Sequence, residues 1–377
     1  MATDPSELGR RLRERDRSAA AAALNVIENR ADREAARELL GELSPAALGG
    51  EPHAHVIGIT GPPGAGKSTL LSALVAEWRD RGRTVAVLAV DPSSKRSGGS
   101  LLGDRARIEH DPRDDGILIR STAAGGRLGG LAAATREAAE ALAPAYDVVV
   151  IETVGVGQSE TDVEDVCDTV AVVVQPASGD VLQFLKAGIM EVPDLLVVTK
   201  ADLGEVATRS RRDLGQALKA VGSASVPVLA VSSVPPPSGI GELADALEAH
   251  REATDLVVRR VRARRGAALR EFTAEHGERA LRELGGRRAA ERLLAEQDPG
   301  ASVTDLLAAL DAHRAGLDLP AVRVRARRLG ALADFVSEHG ERGLRALGGR
   351  RAAERMLEQQ DGGASVTDLL RALEAAR

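Results

Sequence analysis

The sequence predicts an α/β protein, with a mainly parallel sheet flanked by helices, further helices before it and an all-helical arm after it. Seven short apolar runs alternate with amphipathic stretches, which is the pattern of βαβ units. The motif Gly61-Pro-Pro-Gly-Ala-Gly-Lys-Ser-Thr69 follows the first apolar run and precedes a helical pattern. No strand pattern is left after residue 240. The predicted fold class is therefore a P-loop NTPase domain with helical extensions.

Each part of the chain has its own pattern. Residues 1–50 have helical patterning that ends at Gly49-Gly50, and they are predicted to form an N-terminal helical extension. Residues 51–250 are predicted to form the P-loop domain. Parallel strands covered on both faces read as continuous apolar runs. Such runs predict strands at 56–60, 84–90, 117–121, 147–152, 170–175, 195–199 and 226–231.

The C-terminal region is an internal duplication with a period of 63 residues. Glu275-His276-Gly277 recurs as Glu338-His339-Gly340, and residues 285–292 recur without a gap at 348–355. Each copy closes with Ala-Ser-Val-Thr-Asp-Leu-Leu. The serine can cap the N-terminus of a helix, and the aspartate three residues later can complete a capping box by accepting from the serine backbone N–H. Residues 251–313 and 314–377 are therefore predicted to be two helical repeats. A helical module without chemical residues favours an assembly surface over a catalytic domain.

Composition excludes several classes of protein. The net charge is −6, but residues 251–377 carry 24 Arg against 20 Asp plus Glu. Acidic residues follow the arginine runs closely and no aromatic residue interleaves with them, which favours a solvated or partner-facing helix over nucleic-acid binding. The single cysteine, Cys167, can form no internal disulfide, and no apolar run approaches the roughly 18 residues of a membrane span. We expect a cytoplasmic protein that binds neither nucleic acid nor a membrane.

The glycine-rich motif predicts a phosphate site. Its glycines let backbone N–H groups turn toward phosphate oxygens. Lys67 is predicted to reach the β and γ oxygens, and the Ser68 hydroxyl is predicted to join Mg²⁺. The whole motif is expected to contact the nucleotide: Gly61, Pro62, Pro63, Gly64, Ala65, Gly66, Lys67, Ser68 and Thr69.

Carboxylates follow two further strands. Asp91 and Asp104 delimit a loop rich in Gly and Ser, and they could approach Mg²⁺ once a γ-phosphate orders that loop. Glu152 ends a buried strand, where a water-mediated Mg²⁺ ligand belongs, and Gly155 is placed to sense the γ-phosphate. Gln158 could orient the attacking water or be purely structural. The predicted catalytic set is Lys67, Asp91, Glu152 and Gln158, and the predicted metal set is Ser68, Asp91, Asp104 and Glu152.

The segment Thr199-Lys200-Ala201-Asp202 predicts the base that is bound. A carboxylate at Asp202 can accept hydrogen bonds from N1–H and the N2 amine of guanine, and adenine cannot supply that pair. Lys200 can lie over the purine ring. Ser232 and Ser233 follow the last strand, where a backbone N–H can meet guanine O6. With these motifs at successive strand ends, the predicted ligand is GTP with Mg²⁺.

These motifs together resemble the MeaB-like GTPases, the methylmalonyl-CoA mutase-associated G-protein chaperones also labelled ArgK-type, within the SIMIBI class of P-loop proteins. The matching stretches include Gly61 to Thr69, Asp91-Pro-Ser-Ser94, Ser97 to Asp104, Leu128-Gly-Gly, Thr135-Arg-Glu137, Glu152 to Glu160, Gly179-Asp180, Gln183, Lys186, Gly188 to Glu191 and Thr199 to Asp202. The likeness extends from the N-terminal helices to about residue 250.

The resemblance implies a GTPase that docks on an adenosylcobalamin-dependent acyl-CoA mutase. In that family GTP binding and hydrolysis gate cofactor delivery and protect the mutase. Residues 175–186 would match an additional switch, and the C-terminal helices imply a homodimer. The chain departs from the family pattern in having two copies of the C-terminal module, and Thr199 stands where Asn is commoner.

Three other functions stay open from the sequence. One is a non-hydrolysing assembly module, which would be favoured if GTP bound but were never turned over. A nickel-insertion GTPase for hydrogenase or urease belongs to the same class, but it needs a thiolate or imidazole cluster to carry the metal. A small-molecule or protein kinase is an activity attached to some ArgK-type names, but no acceptor-binding constellation is visible.

Overall fold

The structure, a computed structural model, describes residues 4–29, 32–91, 108–123, 133–153, 163, 166–176, 193–220, 222–317, 319–360 and 364–377. The chain divides into two compact units. The first comprises Met1–Arg264 with Gly300–Ser302, and the second comprises Arg265–Pro299 with Val303–Arg377. The division predicted from the sequence, at residues 50, 250 and 313, stays a prediction.

The first unit is built on a seven-stranded parallel sheet, and the predicted fold class is confirmed. Each predicted strand has an observed counterpart, within two residues at either end. In chain order the strands are β1 (His55–Thr60), β2 (Val85–Asp91), β3 (Ile117–Ala123), β4 (Val148–Thr153), β5 (Thr169–Val174), β6 (Leu195–Val198) and β7 (Val228–Ala230). Their order across the sheet is β3-β2-β4-β1-β5-β6-β7. All paired strands are parallel, so their carboxyl ends meet at one edge.

Helices cover both faces of this sheet, because alternate residues of each strand point to opposite sides. On β4, Val149 and Ile151 pack into one apolar cluster, and Val148 and Val150 pack into the other. The first cluster includes residues of the helices Pro5–Arg13, Ala20–Glu28, Arg33–Glu42, Ala133–Leu142 and Glu205–Ala220. The second includes residues of the helices Lys67–Asp80 and Ile240–Ala253. A short helix, Pro45–Leu48, precedes β1, and 3₁₀ turns lie at Arg17–Ala19 and Ala201–Leu203.

The first arginine run belongs to the packing of the first unit. Arg260 donates to Asp168 Oδ2 at 2.6 Å and to the carbonyls of Pro52 and Ala54 at 2.6 and 2.7 Å. Arg264 forms an ion pair with Glu51 at 2.6 Å, and both arginine side chains are nearly buried. The expectation of a solvated or partner-facing helix is therefore wrong for these two arginines, because their acidic partners come from distant parts of the chain.

The duplication in the sequence is also present in the fold, as two successive sets of three helices. A 28-residue helix, a 9-residue helix and a third helix occur twice, in the same order: Leu256–Glu283, Arg287–Ala295 and Val303–Ala315, then Leu319–Ala346, Arg350–Glu358 and Val366–Ala376. The first long helix begins in the first unit. Equivalent arginines make equivalent bonds: Arg265 donates to Ala295 O at 3.2 Å, and Arg328 donates to Glu358 O at 3.0 Å. The predicted capping box is present at Ser365 and Asp368.

Among the described residues, no helix combines the length and the apolarity needed to cross a bilayer.

Candidate nucleotide-binding site

The glycine-rich loop lies between β1 and the helix Lys67–Asp80, as predicted. Gly61 has φ 141°, and a Cβ added there would lie 2.0 Å from Val173 O on β5, so only glycine allows the two strands to approach this closely. Gly64 and Gly66 have φ of 78° and 87°, in the left-handed region that favours glycine. The loop delivers the N-terminus of a 14-residue helix to the carboxyl edge of the sheet. Unpaired N–H groups at such a terminus attract anions.

Lys67 lies against the inside of this loop. Its Nζ donates to Gly61 O at 2.7 Å and to Pro62 O at 3.2 Å, and only 8% of the residue is exposed. A nearly buried ammonium group beside a helix N-terminus concentrates positive charge at one point. That arrangement suits the β and γ oxygens of a nucleotide.

Ser68 and Glu152 are brought together from different elements. The Ser68 hydroxyl, in the first turn of the helix, donates to Glu152 Oε1 at 3.0 Å. Glu152 lies on β4, which pairs with β1, and is 8% exposed. Behind it, Thr153 Oγ1 donates to Thr60 Oγ1 at 2.9 Å and ties the two strand ends together. A hydroxyl and a carboxylate at this distance are the oxygen donors that Mg²⁺ prefers, so the residues present fit that ion.

The other predicted switch residues lie at or beyond the limits of the described residues. Asp91 ends β2, and the β2–β4 register pairs Val90 with Thr153, so the backbone of Asp91 lies at the same sheet edge as Glu152. Its side chain lies outside the described residues, as do Asp104, Gly155 and Gln158. Their roles stay predictions.

Thr199 connects the end of β6 to the glycine-rich loop. Its Oγ1 lies 2.7 Å from Ala65 O in the glycine-rich loop and 3.2 Å from Val174 O at the end of β5. Threonine offers a single O–H, which is shared between these two carbonyls. The hydroxyl at this position therefore holds the loop, β5 and β6 in one arrangement.

Lys200 has φ 53°, a left-handed conformation that is uncommon outside glycine and is found at functional sites. Its Nζ donates to Gln175 Oε1 at 2.7 Å, which holds the side chain of Lys200 beside the end of β5. No local pattern predicts this contact, because Gln175 follows β5 and its proximity to Lys200 depends on the pairing of β5 with β6.

Asp202 is held by Ser232. The Ser232 hydroxyl donates to Asp202 Oδ1 at 2.7 Å, and its backbone N–H donates to Ser238 O at 2.9 Å. The N–H of Ser232, one of those expected to meet guanine O6, is therefore occupied by Ser238 O, and its hydroxyl contacts Asp202 instead. The N–H of Ser233 is left for that role, which stays a prediction.

Comparisons with known proteins agree with this geometry. A sequence model of the family described as methylmalonyl Co-A mutase-associated GTPase MeaB matches residues 20–284, more than half of the chain. A Pyrococcus abyssi protein named as a GTPase is 44% identical over 253 residues, covering 65% of this chain and 76% of that protein. The Caenorhabditis elegans protein named methylmalonic aciduria type A homolog, mitochondrial, is 46% identical over 167 residues, covering 44% of this chain and 42% of that protein.

Among solved structures, the crystal structure of the LAO/AO transport system kinase is similar. The sequence identity is 29% and the TM-score is 0.56, with 82% of this chain and 97% of the other covered. Fold, motifs and sequence similarity agree, and the chain belongs to the family of methylmalonyl-CoA mutase-associated GTPases of the MeaB type.

Proposed function

We propose that this chain is a GTP-hydrolysing G-protein chaperone that gates adenosylcobalamin delivery to an acyl-CoA mutase of the methylmalonyl-CoA mutase type, and that it protects that mutase. Its family supports both the GTPase activity and the mutase partner. The observation that carries the nucleotide assignment is the 2.7 Å contact between Ser232 and Asp202, two residues after a Lys200 whose Nζ is held by Gln175.

Guanine is favoured over adenine by the chemistry of Asp202. A carboxylate accepts hydrogen bonds and donates none, and guanine presents N1–H and an N2 amine side by side. Ser232 donates to Oδ1, which orients the carboxylate and leaves acceptor capacity on both of its oxygens. Adenine would leave that acceptor unpaired, so it should bind less tightly than guanine.

Hydrolysis in this site would depend on positioning and electrostatics. Lys67 would offset charge on the β–γ bridge, and Ser68 with Glu152, Asp91 and Asp104 would hold Mg²⁺ directly or through water. Bound Mg²⁺ would neutralise charge that develops on the phosphate oxygens. Gly155 would sense the γ-phosphate, and Gln158 would orient the attacking water.

Base specificity tests the nucleotide assignment. Asp202→Asn should sharply weaken GTP binding and favour xanthosine triphosphate, because the amide can donate to the second carbonyl of xanthine. Equilibrium binding of both nucleotides measures the change. Asp213→Asn, an exposed position on the helix Glu205–Ala220, is the matched control and should bind GTP as the unmodified protein does. Unchanged GTP affinity in Asp202→Asn would show that Asp202 does not recognise the base.

The mutase should accelerate GTP turnover. We see no arginine finger in the sequence, so intrinsic hydrolysis is expected to be slow, and a partner that supplies or orders a stabilising group could raise it by up to roughly 10³ to 10⁵. Phosphate release is measured with and without the cognate mutase, and an unrelated enzyme that uses no cobalamin is the control. Equal turnover in all three mixtures would contradict the partner assignment.

A nickel-insertion role receives no support from the cysteine. Cys167 is buried, and burial raises the pKa of its thiol well above the usual value, so it offers no thiolate near neutral pH.

A further inference from the structure

The second helical repeat carries an imidazole where its long helix is broken. Glu338 and His339 directly precede Gly340, whose φ of 59° and ψ of −168° interrupt the helix Leu319–Ala346. Neighbouring side chains in a regular helix diverge, but here Glu338 Oε2 lies 3.8 Å from His339 Nε2. The ring of His339 packs edge-on against Phe335 at a centroid distance of 4.8 Å, which fixes its orientation.

A third group reaches the same nitrogen from another helix. Glu374, in the last turn of Val366–Ala376, places Oε1 3.8 Å from His339 Nε2. One ligand atom from each of the three residues lies within 4.8 Å of the other two. His339 Nε2 is shielded from solvent, and within the described part of the chain no group forms a hydrogen bond with it. An imidazole nitrogen therefore faces two carboxylates across a gap.

The first repeat has the same framework, but there the gap is closed. Phe272 packs on His276 at the same 4.8 Å, and His276 Nε2 also lacks a well-aligned hydrogen bond within the described part of the chain. The position of Glu374 is taken there by the shorter Asp311, whose Oδ1 lies only 2.9 Å from His276 Nε2. A direct pair of this length leaves no room for an ion between the two groups. The repeats therefore differ where Asp311 of the first corresponds to Glu374 of the second, and this difference sets the distance between the carboxylate and the imidazole.

The repeats also differ in where their last arginine binds. In the first repeat Arg314 pairs with Glu283 at 3.1 Å. The residue equivalent to Glu283 is Ala346, and Arg377, the equivalent of Arg314, instead has Nη1 2.6 Å from His339 Nδ1. Donation by Arg377 to Nδ1 keeps the proton of a neutral ring on Nε2. An ion on Nε2 therefore requires the ring proton to move to Nδ1, and the hydrogen bond from Arg377 to Nδ1 must then break.

We propose that Glu338, His339 and Glu374 bind a divalent transition-metal ion of the Zn²⁺ class. Two carboxylates and one imidazole match the charge and the donor preference of such an ion, and three protein ligands leave a fourth position for water. Tetrahedral bonds of about 2.0 to 2.1 Å require ligand atoms about 3.3 Å apart, so the two 3.8 Å gaps must close, and the two carboxylate oxygens, which lie within 4.8 Å of each other, must adjust with them. The side chains of Glu338 and Glu374 are 58% and 42% exposed, so they can rotate to do this.

The ion would join the long helix to the last helix of the repeat. Glu338 and His339 lie before the break in Leu319–Ala346, and Glu374 lies near the C-terminus of the chain. A ligand that binds only the folded state stabilises that state by mass action. Zinc binding by Glu338, His339 and Glu374 requires neither bound nucleotide nor GTPase activity.

The duplication supplies matched controls for the experiment. ZnCl₂ is titrated calorimetrically into the tag-free full-length chain, and thermal unfolding is followed with and without the ion. We expect one saturable site that raises the unfolding temperature. His339→Ala should weaken zinc binding by about tenfold or more and abolish the shift, whereas His276→Ala should retain both.

A second pair of variants keeps the result interpretable if His339→Ala disturbs folding. Glu374→Gln preserves side-chain length on an exposed surface and should also lose zinc, whereas Asp311→Asn in the first repeat should keep it. Zinc affinity unchanged in His339→Ala or Glu374→Gln would overturn the proposal. Equal losses in the variants of both repeats would also overturn it, because binding would then not depend on the gap.

Discussion

At the scale of single residues, the least predictable feature is a series of polar side-chain contacts at the amino edge of the sheet, opposite to the nucleotide site. Thr169 Oγ1 lies 2.7 Å from His55 Nε2 and 2.8 Å from His250 Nδ1, and His250 Nε2 lies 3.2 Å from Asp194. Burial lowers the pKa of His55 to about 3, so this ring is neutral in the folded protein near neutral pH. The contact between Thr169 and His55 therefore involves a neutral ring.

His55 should make stability depend on pH. Its pKa is about 3 in the folded chain and about 6.5 when unfolded, so between these values the unfolded state binds one more proton. The free energy of unfolding should therefore fall as the pH is lowered through this window, by about 1.4 kcal/mol for each pH unit from this group alone. Urea titrations from pH 6.5 to 4.5 measure the slope.

His55→Gln should flatten that slope by the same amount, whatever its effect on stability at pH 7. His313→Gln, at an exposed position in the arm, should leave the slope as it is in the unmodified chain. Identical slopes for His55→Gln and the unmodified chain would show that the burial of His55 has no such consequence.

At the scale of elements, the glycine-rich loop depends on its close approach to β5. Its sequence motif was recognisable because the spacing of glycines, lysine and serine is local. The reason Gly61 must be glycine is not local: Val173, on a strand 112 residues later in the chain, presents its carbonyl to that position. The parallel pairing of β1 with β5 creates the constraint.

Gly61→Ala should abolish GTP binding or weaken it severely. The added methyl group would lie 2.0 Å from Val173 O at a φ of 141°, so the loop or β5 must move. Nucleotide titration measures the loss, and circular dichroism checks the fold. Gly215→Ala is the control: it lies within the helix Glu205–Ala220 with nothing within 4 Å, and it should bind GTP normally while gaining up to about 1 kcal/mol of stability. Full GTP affinity in Gly61→Ala would show that the loop tolerates this displacement.

At the scale of the whole molecule, the nucleotide site and the second repeat belong to different units. The described residues of the site, from Gly61 to Ser232, all lie in the first unit. The second repeat, from Leu319 onward, lies in the second unit and repeats the packing of the first repeat, including its own apolar cluster around Phe335. The homodimer implied by the family resemblance is assigned to this arm and stays a prediction.

Removal of residues 316–377 should leave GTP binding intact and change the oligomeric state. This cut follows the helix Val303–Ala315 and keeps the pair between Arg314 and Glu283, so the first repeat stays whole. Light scattering gives the mass of the particle, and nucleotide titration gives the affinity. Lost GTP binding would show that the arm is needed by the nucleotide site, and an unchanged mass would place the dimer contact elsewhere.

Much of the fold and of the phosphate side of the site could be predicted because the signals are periodic or local. Buried parallel strands appear as apolar runs, and Lys67 and Ser68 are separated from the glycines by fixed spacings. The duplication was visible as direct identity at a constant offset. The solvated face expected for Arg260 and Arg264 was wrong, because charge patterning along one helix does not reveal acidic partners such as Asp168 and Glu51.

Residue order along the chain was enough to locate the strands, the glycine-rich loop and the two repeats, since each depends on neighbours within a few residues or on simple repetition. Contacts between distant segments needed the folded chain: Thr199 on Ala65, Lys200 on Gln175, and Glu374 facing His339. The reason is geometric. Strand order and helix packing decide which remote side chains meet, and hydrogen bonds and ligand gaps are set by distances of a few ångströms that no local pattern encodes.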